Sequence, residues 1–134
     1  EEAQVPLPLV FGHNDLLAAN FLDDGRRLWL IDYEYAGFGT ALFDLAGVAT
    51  NSGMEAAAAD DLLGQYFGAT PGPELARAYD AMQVASLLRE TMWALVSDLH
   101  LAAPGVDYRA YAEENQGRLD AAVDRYKSRW GWDG

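Results

Sequence analysis

A chain of 134 residues, 51% of them hydrophobic and 12% aromatic, is long enough to bury one sizeable core and falls in the single-domain range. It has no cysteine and two histidines, which excludes a disulfide framework, a thiolate metal site and a multi-histidine site. A net charge of −12 with nine scattered Lys and Arg opposes nucleic-acid phosphates and anionic membrane surfaces, so neither is expected as a partner, whereas an acidic surface suits a cationic small molecule.

Pro8-Leu9-Val10-Phe11 is a short apolar run ending at Gly12. Asn20-Phe21-Leu22 then leads into Asp23-Asp24-Gly25, whose Asp-Gly pair signals a turn, and Leu28-Trp29-Leu30-Ile31 follows as a second strand expected to be buried. The two flank a tight β-hairpin with Asp23 to Arg27 at its tip. Beyond Asp32 the segment Tyr33 to Thr40, with Gly37 and Gly39, reads as a loop. Everything downstream reads as helix. A first helix covers Leu42 to Thr50 and stops near Asn51-Ser52-Gly53, and an alanine-rich second one covers Met54 to Phe67 and ends at Gly68. The longest opens at Pro73 and runs to His100, with Leu75, Tyr79, Met82, Ala85, Leu88, Met92, Trp93, Leu95, Val96 and Leu99 at three- and four-residue steps. That stripe predicts a central core helix. Ala103-Pro104-Gly105 breaks it, and Tyr108 to Arg129 forms a last, more polar helix. No run of about 18 apolar residues is present, and Glu1-Glu2-Ala3-Gln4 lacks the basic start of a signal peptide, so the expected location is the cytoplasm.

The chemistry concentrates in His13-Asn14-Asp15-Leu16-Leu17-Ala18-Ala19-Asn20 and, one hairpin later, Leu30-Ile31-Asp32-Tyr33-Glu34-Tyr35. Phosphoryl transfer needs a carboxylate to take the proton of the attacking hydroxyl, and hard oxygen donors for the Mg²⁺ that neutralises the nucleotide phosphates. Asp15 is placed to be the catalytic base, with Asn20 and Asp32 as metal ligands. Each of these, taken singly, also reads as a turn or strand-start residue satisfied by nearby backbone. Together, His-x-Asp-x-x-x-x-Asn, a strand and a second Asp form the catalytic-loop arrangement of kinases. His13 is expected to support the loop by packing beneath it and bonding backbone near Asp32.

Phe11 to Leu22 and Leu30-Ile31-Asp32-Tyr33-Glu34-Tyr35-Ala36-Gly37 resemble the two signature blocks of choline/ethanolamine kinases, members of a superfamily shared with aminoglycoside phosphotransferases and protein kinases. Phe43-Asp44-Leu45-Ala46 is similar to a third block, whose aspartate, here Asp44, braces the catalytic loop. The resemblance continues through Trp93 to Ser97 and Asp107 to Tyr111, where aromatics wall the amino-alcohol pocket in that family. It implies a mainly helical α+β fold, the C-terminal lobe of a protein-kinase-like enzyme, with a short hairpin and catalytic loop followed by a helical bundle. It also implies ATP and Mg²⁺ as cofactors, an amino alcohol as substrate, and as partner an N-terminal nucleotide-binding lobe of the same protein that has no counterpart in residues 1–134. Substrate contacts then fall to Glu34, Tyr35, Trp93, Tyr108 and Tyr111. Two departures thin the cage: Val96 stands where eukaryotic choline kinases hold a second aromatic, and an acidic residue is replaced near Asn51. Core packing remains an alternative for Trp93, Tyr108 and Tyr111, as does an ion pair with Arg26 or Arg27 for Glu34. An aminoglycoside kinase and a non-catalytic interaction domain are the competing readings of the whole.

Overall fold

The computed structural model describes residues 3–101 and 103–131. Strand β1 (Leu9–Gly12) leads through a loop and a 3-10 turn (Ala18–Asn20) into β2 (Phe21–Asp23) and β3 (Leu28–Leu30), followed by β4 (Gly37–Thr40) and the helices α1 (Ala41–Asn51), α2 (Ala56–Phe67), α3 (Pro73–His100) and α4 (Tyr108–Trp130). The mainly helical α+β expectation holds. So does the hairpin: β2 and β3 pair antiparallel, with Phe21 opposite Leu30 and Asp23 opposite Leu28. At its tip Asp24 accepts from the Trp29 indole and from the backbone of Arg27 and Arg26, and these bonds hold its carboxyl below the ordinary range.

Three expectations need correction. Gly37–Thr40 is not loop but β4, paired antiparallel with β1 from Leu9 opposite Thr40 to Gly12 opposite Gly37. Its glycines hide the strand from local reading, because a ladder partner 31 residues upstream, Leu9 opposite Thr40, is a non-local choice. The hairpin strand Leu28-Trp29-Leu30-Ile31 is largely exposed, with Leu28 at 63% and no layer packed over it among the described residues. Finally, the apolar stripe of α3 is not the buried face along its second half. Leu88, Met92, Leu95, Val96 and Leu99 are exposed, whereas Asp80, Gln83, Ser86, Glu90, Thr91 and Ser97 are buried. The small residues Ala76, Ala78, Ser86, Ala94 and Ser97 let neighbouring helices approach α3 closely, and that geometry outweighs side-chain hydrophobicity.

The apolar core lies where α1, α2 and the first half of α3 meet: Leu42, Ala46, Ala49, Ala59, Leu63, Ala78 and Tyr79, with Val5 and Leu7 from the chain ahead of β1 packed against them. Burial pushes the Tyr79 phenol well above its ordinary range, so it stays protonated and donates to Leu45 O at 3.4 Å. Between α3 and α4 buried apolar residues such as Leu87, Ala94, Ala112 and Leu119 are joined by a polar cluster. Asp80 is 2% exposed, and its carboxylate accepts from Arg125 at 2.9 Å, Arg129 at 3.1 Å, the Trp130 indole at 2.8 Å and Gln83 at 3.3 Å. With every lone pair used, the buried charge is compensated by the helix opposite. Pro73 at the start of α3 and Asp107, which caps α4 by accepting from Ala110 N, set the helix origins.

The β1–β4 ladder closes residues 13–36 into one excursion, and α1 grips its first turn. Asp44, in the first turn of α1, accepts from His13 N through Oδ2 and from Asn14 N through Oδ1, both at 2.7 Å. The helix N-terminus favours that charge, and charge-assisted bonds of this length are the strong kind. Gly12 is required beside it: a Cβ there would lie 2.9 Å from Asp44 Oδ2.

No helix among the described residues is long and apolar enough to cross a membrane. Two stability outcomes follow from these contacts. Asp80→Ala strands the Arg125 guanidinium and the Trp130 indole and leaves Arg129 with Asp60 alone, and urea unfolding is expected to show a loss of about 3 kcal/mol. Asp44→Ala frees two backbone donors, with an expected loss of about 2 kcal/mol and faster hydrogen exchange at His13 and Asn14, while α3–α4 protection stays unchanged.

Candidate functional site

Leaving β1, the chain turns sharply. His13 is 4% exposed; its Nδ1 accepts from Asp15 N at 3.2 Å, so the ring hydrogen sits on Nε2, which donates to Ile31 O at 2.7 Å. Its ring also meets Tyr33 edge-on at 4.7 Å between centroids. Asn14 adopts a left-handed backbone with φ of 65°, tolerable for asparagine, and its side chain donates to Tyr35 O at 3.0 Å. These bonds tie the Asp15 turn to the 31–35 segment from both sides.

Asn20 is buried at the end of the 3-10 turn. Its Nδ2 donates to Asp15 O at 2.8 Å, which leaves Oδ1 as the oxygen available to a cation. Its backbone O accepts from Ile31 N at 3.0 Å, continuing the β2–β3 ladder by one step, so Asp32 follows immediately after the residue bonded to Asn20. Asp32 itself has φ of 65°. A non-glycine residue held there costs on the order of 1 kcal/mol and persists because the bonds to Ile31 and Asn20 fix its neighbours. An amide oxygen and a carboxylate on adjacent backbone are the hard donors Mg²⁺ takes, and that ion characteristically completes its shell with water and phosphate oxygens. No group of three or more His, Asp or Glu among the described residues forms a self-sufficient metal cage. The donor set therefore fits a magnesium ion shared with a phosphate ligand.

Asp15, Glu34, Tyr35, Trp93, Tyr108 and Tyr111 line one cavity of about 650 Å³. They come from the loop after β1, the segment after β3, the outer face of α3 and the start of α4. Trp93 is 51% exposed, so it is a wall and not core. It meets Tyr108 and Tyr111 edge-on at centroid separations of 5.9 and 6.3 Å. Glu34 has no ion pair with Arg26 or Arg27 among the described residues, and Arg27 lies instead over the Trp29 ring at 4.8 Å. Val96 is exposed, and Asn51 is spent on a bond from its amide to Leu16 O at 3.3 Å.

Two residues of this cavity were not expected from the sequence. Arg89 places Nη2 at 3.6 Å from Asp15 Oδ1, and Glu90 is a buried carboxylate that accepts from Arg89 at 3.0 Å and from the Tyr111 hydroxyl at 3.3 Å. Burial, with the Glu90 charge beside it, raises the Tyr111 phenol above its ordinary range, so it remains a donor. The signal was present but faint: Arg89-Glu90 is the one charged pair on α3 between Asp80 and Asp98.

Residues 3–59 match the family model for choline/ethanolamine kinase. Over 116 residues the chain is 33% identical to Protein LicA of Haemophilus influenzae, covering 82% of this chain and 41% of that protein. It is 47% identical over 45 residues to ethanolamine kinase 2 of Mus musculus, 32% of this chain and 12% of that one. Among solved structures, a choline/ethanolamine kinase family protein from Mesorhizobium loti superposes with a TM-score of 0.79 at 32% identity, covering 95% of this chain and 44% of the other. An ethanolamine kinase of Plasmodium vivax shares the fold with a TM-score of 0.67 at 21% identity, over 91% of this chain and 36% of the other. The chain thus spans less than half the length of these relatives. The chain is therefore similar to the choline/ethanolamine kinase family in sequence over residues 3–59 and in fold over nearly all of its length.

Proposed function

We propose that this chain is the C-terminal catalytic lobe of a longer, two-lobed cytoplasmic enzyme that transfers the terminal phosphoryl group of ATP to the hydroxyl of a small cationic alcohol, choline or ethanolamine. The observation that carries the reading is the shared cavity: the carboxylate of Asp15 opens onto the same 650 Å³ space as four aromatic rings and two further carboxylates. A hydroxyl held at Asp15 leaves the cationic end of a short amino alcohol among Trp93, Tyr108 and Tyr111. Aromatic faces attract ammonium groups, and desolvated contacts of this kind contribute about 2 kcal/mol. Glu34 and the other carboxylates supply the remaining countercharge.

In this reading Asp15 orients the hydroxyl and takes its proton as the oxygen attacks in line, with no covalent enzyme intermediate. Asn20 and Asp32 would hold Mg²⁺, which, when bound, neutralises charge on the phosphates. His13 and Asp44 keep the loop in register from beneath. Coverage of less than half of each full-length relative supports the presence of an N-terminal lobe, to which the adenine contacts are assigned.

The test is phosphate transfer from ATP by the full-length protein. Asp15→Ala and Asp32→Ala are each expected to reduce turnover of the preferred alcohol to below about one hundredth of wild type with melting temperatures little changed. Turnover above that level in either variant removes the assigned base or metal role. Trp93→Ala is expected to lower kcat/KM for choline about 30-fold, the equivalent of 2 kcal/mol, and less for ethanolamine, whose smaller ammonium covers less ring. Kanamycin as the best substrate would instead make the protein an antibiotic kinase.

A further inference from the structure

The strongest feature left unexplained is Arg89. It lies on the outer half of α3, is 46% exposed at its side chain, and yet is engaged at four points. Nη1 donates to Asn14 O at 3.2 Å, and Nη2 donates to Glu90 Oε1 at 3.0 Å. Nη2 also lies 3.6 Å from Asp15 Oδ1, and Cζ sits 5.3 Å from the centre of the Phe43 ring. An exposed arginine ordinarily keeps its rotamer freedom, because a single surface ion pair returns about 1 kcal/mol or less. Here the planar fork spans the helix, the loop and the first turn of α1 at once, a geometry that a lysine point charge does not reproduce.

Glu90 explains how the guanidinium is held. Its side chain is 10% exposed, its Oε1 takes Arg89, and its Oε2 takes the Tyr111 hydroxyl. A chain of contacts therefore runs from α4 through Tyr111, Glu90 and Arg89 to the loop carrying Asp15. The Asp15 backbone is already fixed, its N–H on His13 and its carbonyl on Asn20. Its carboxylate is not: among the described residues Arg89 is the one cation within ion-pair reach. At 3.6 Å the contact is a charge attraction and not a close hydrogen bond, so it aims the carboxylate while leaving its lone pairs free for a hydroxyl donor.

We infer that Arg89 is a positioning residue that aims the Asp15 carboxylate at the acceptor hydroxyl, anchored by Glu90 and, through it, by Tyr111. This inference rests on the phosphotransferase reading above. Misplacing a reacting group by about 1 Å costs up to roughly 100-fold in rate, without a matching change in affinity. The effect belongs in kcat.

The experiment is steady-state kinetics of the full-length protein with ATP and choline, for Arg89→Met, Arg89→Lys, Glu90→Gln, Asp15→Asn and the Arg89→Met/Asp15→Asn double variant, each with a melting curve. Arg89→Met is expected to lower kcat about 50-fold with both KM values within about threefold. Arg89→Lys should recover part of that loss, and Glu90→Gln, whose amide oxygen still accepts from Arg89 while the charge and the second acceptor are lost, should give a smaller loss of the same kind. In the Asp15→Asn background Arg89→Met should cost less than about threefold, since two residues acting as one unit are not additive. Wild-type kcat in Arg89→Met, a defect confined to KM, or the same fold loss in the Asp15→Asn background overturns the inference and leaves the phosphotransferase reading standing. Should Arg89→Met fail to fold, wild-type kcat in Glu90→Gln overturns it. Wild-type turnover by Asp15→Asn removes the base role of Asp15, and the inference falls with it, whereas no phosphate transfer by the wild-type protein overturns the phosphotransferase reading itself.

Discussion

One carboxylate organises the functional end of this molecule. Asp44 sits in the first turn of α1, where the helix dipole favours a negative charge, and spends both oxygens on the backbone N–H groups of His13 and Asn14. Without that grip the turn after β1 would need other acceptors for two donors, and the left-handed backbone at Asn14 would lose its support. The glycine at position 12 is a consequence, since no side chain fits between that residue and the Asp44 oxygen. From this turn the rest follows in order: His13 reaches Ile31, Asn14 reaches Tyr35, and Asn20 reaches back to Asp15.

The helices carry this assembly on a support that is only partly hydrophobic. Apolar contacts hold α1, α2 and the start of α3 together, but α4 is attached to α3 in part by a polar seam in which Asp80 gathers two arginines and an indole. Further along the same seam Glu90 gathers Arg89 and Tyr111, at the wall of the cavity. Buried carboxylates with directional partners fix the register of two helices in a way that alanine and leucine contacts do not, which suits helices whose exposed ends must present Trp93, Tyr108 and Tyr111 to one space.

Much of this was legible in the residues alone. The hairpin announced itself through Asp24-Gly25 between two apolar runs, the helix limits through Pro73, Gly68 and Ala103-Pro104-Gly105, and the fold class through the succession of those signals. The loop residues His13, Asp15, Asn20 and Asp32 were identifiable because their chemistry is local: one turn and one hairpin bring them together, so their sequence spacing already reports their spatial relation.

What lay beyond the sequence is whatever depends on contacts between distant segments. Strand β4 exists because β1 offers it backbone partners, and its own glycines argue against it. The buried face of α3 was misread because hydrophobic periodicity reports which face is apolar, not which face another helix covers; small residues and compensated charges on the opposite side decided the packing. Arg89 and Glu90 escaped notice for the same reason, since a charged pair on a helix is ordinarily solvated. The sequence by itself determined the elements, their order and the chemical types in the loop, because short-range sterics and hydrogen bonding act within a few residues. Only the tertiary structure decided that α3 lays an arginine against Asp15, since that contact spans 74 residues and exists only once α1 and α4 have set the helix's rotation.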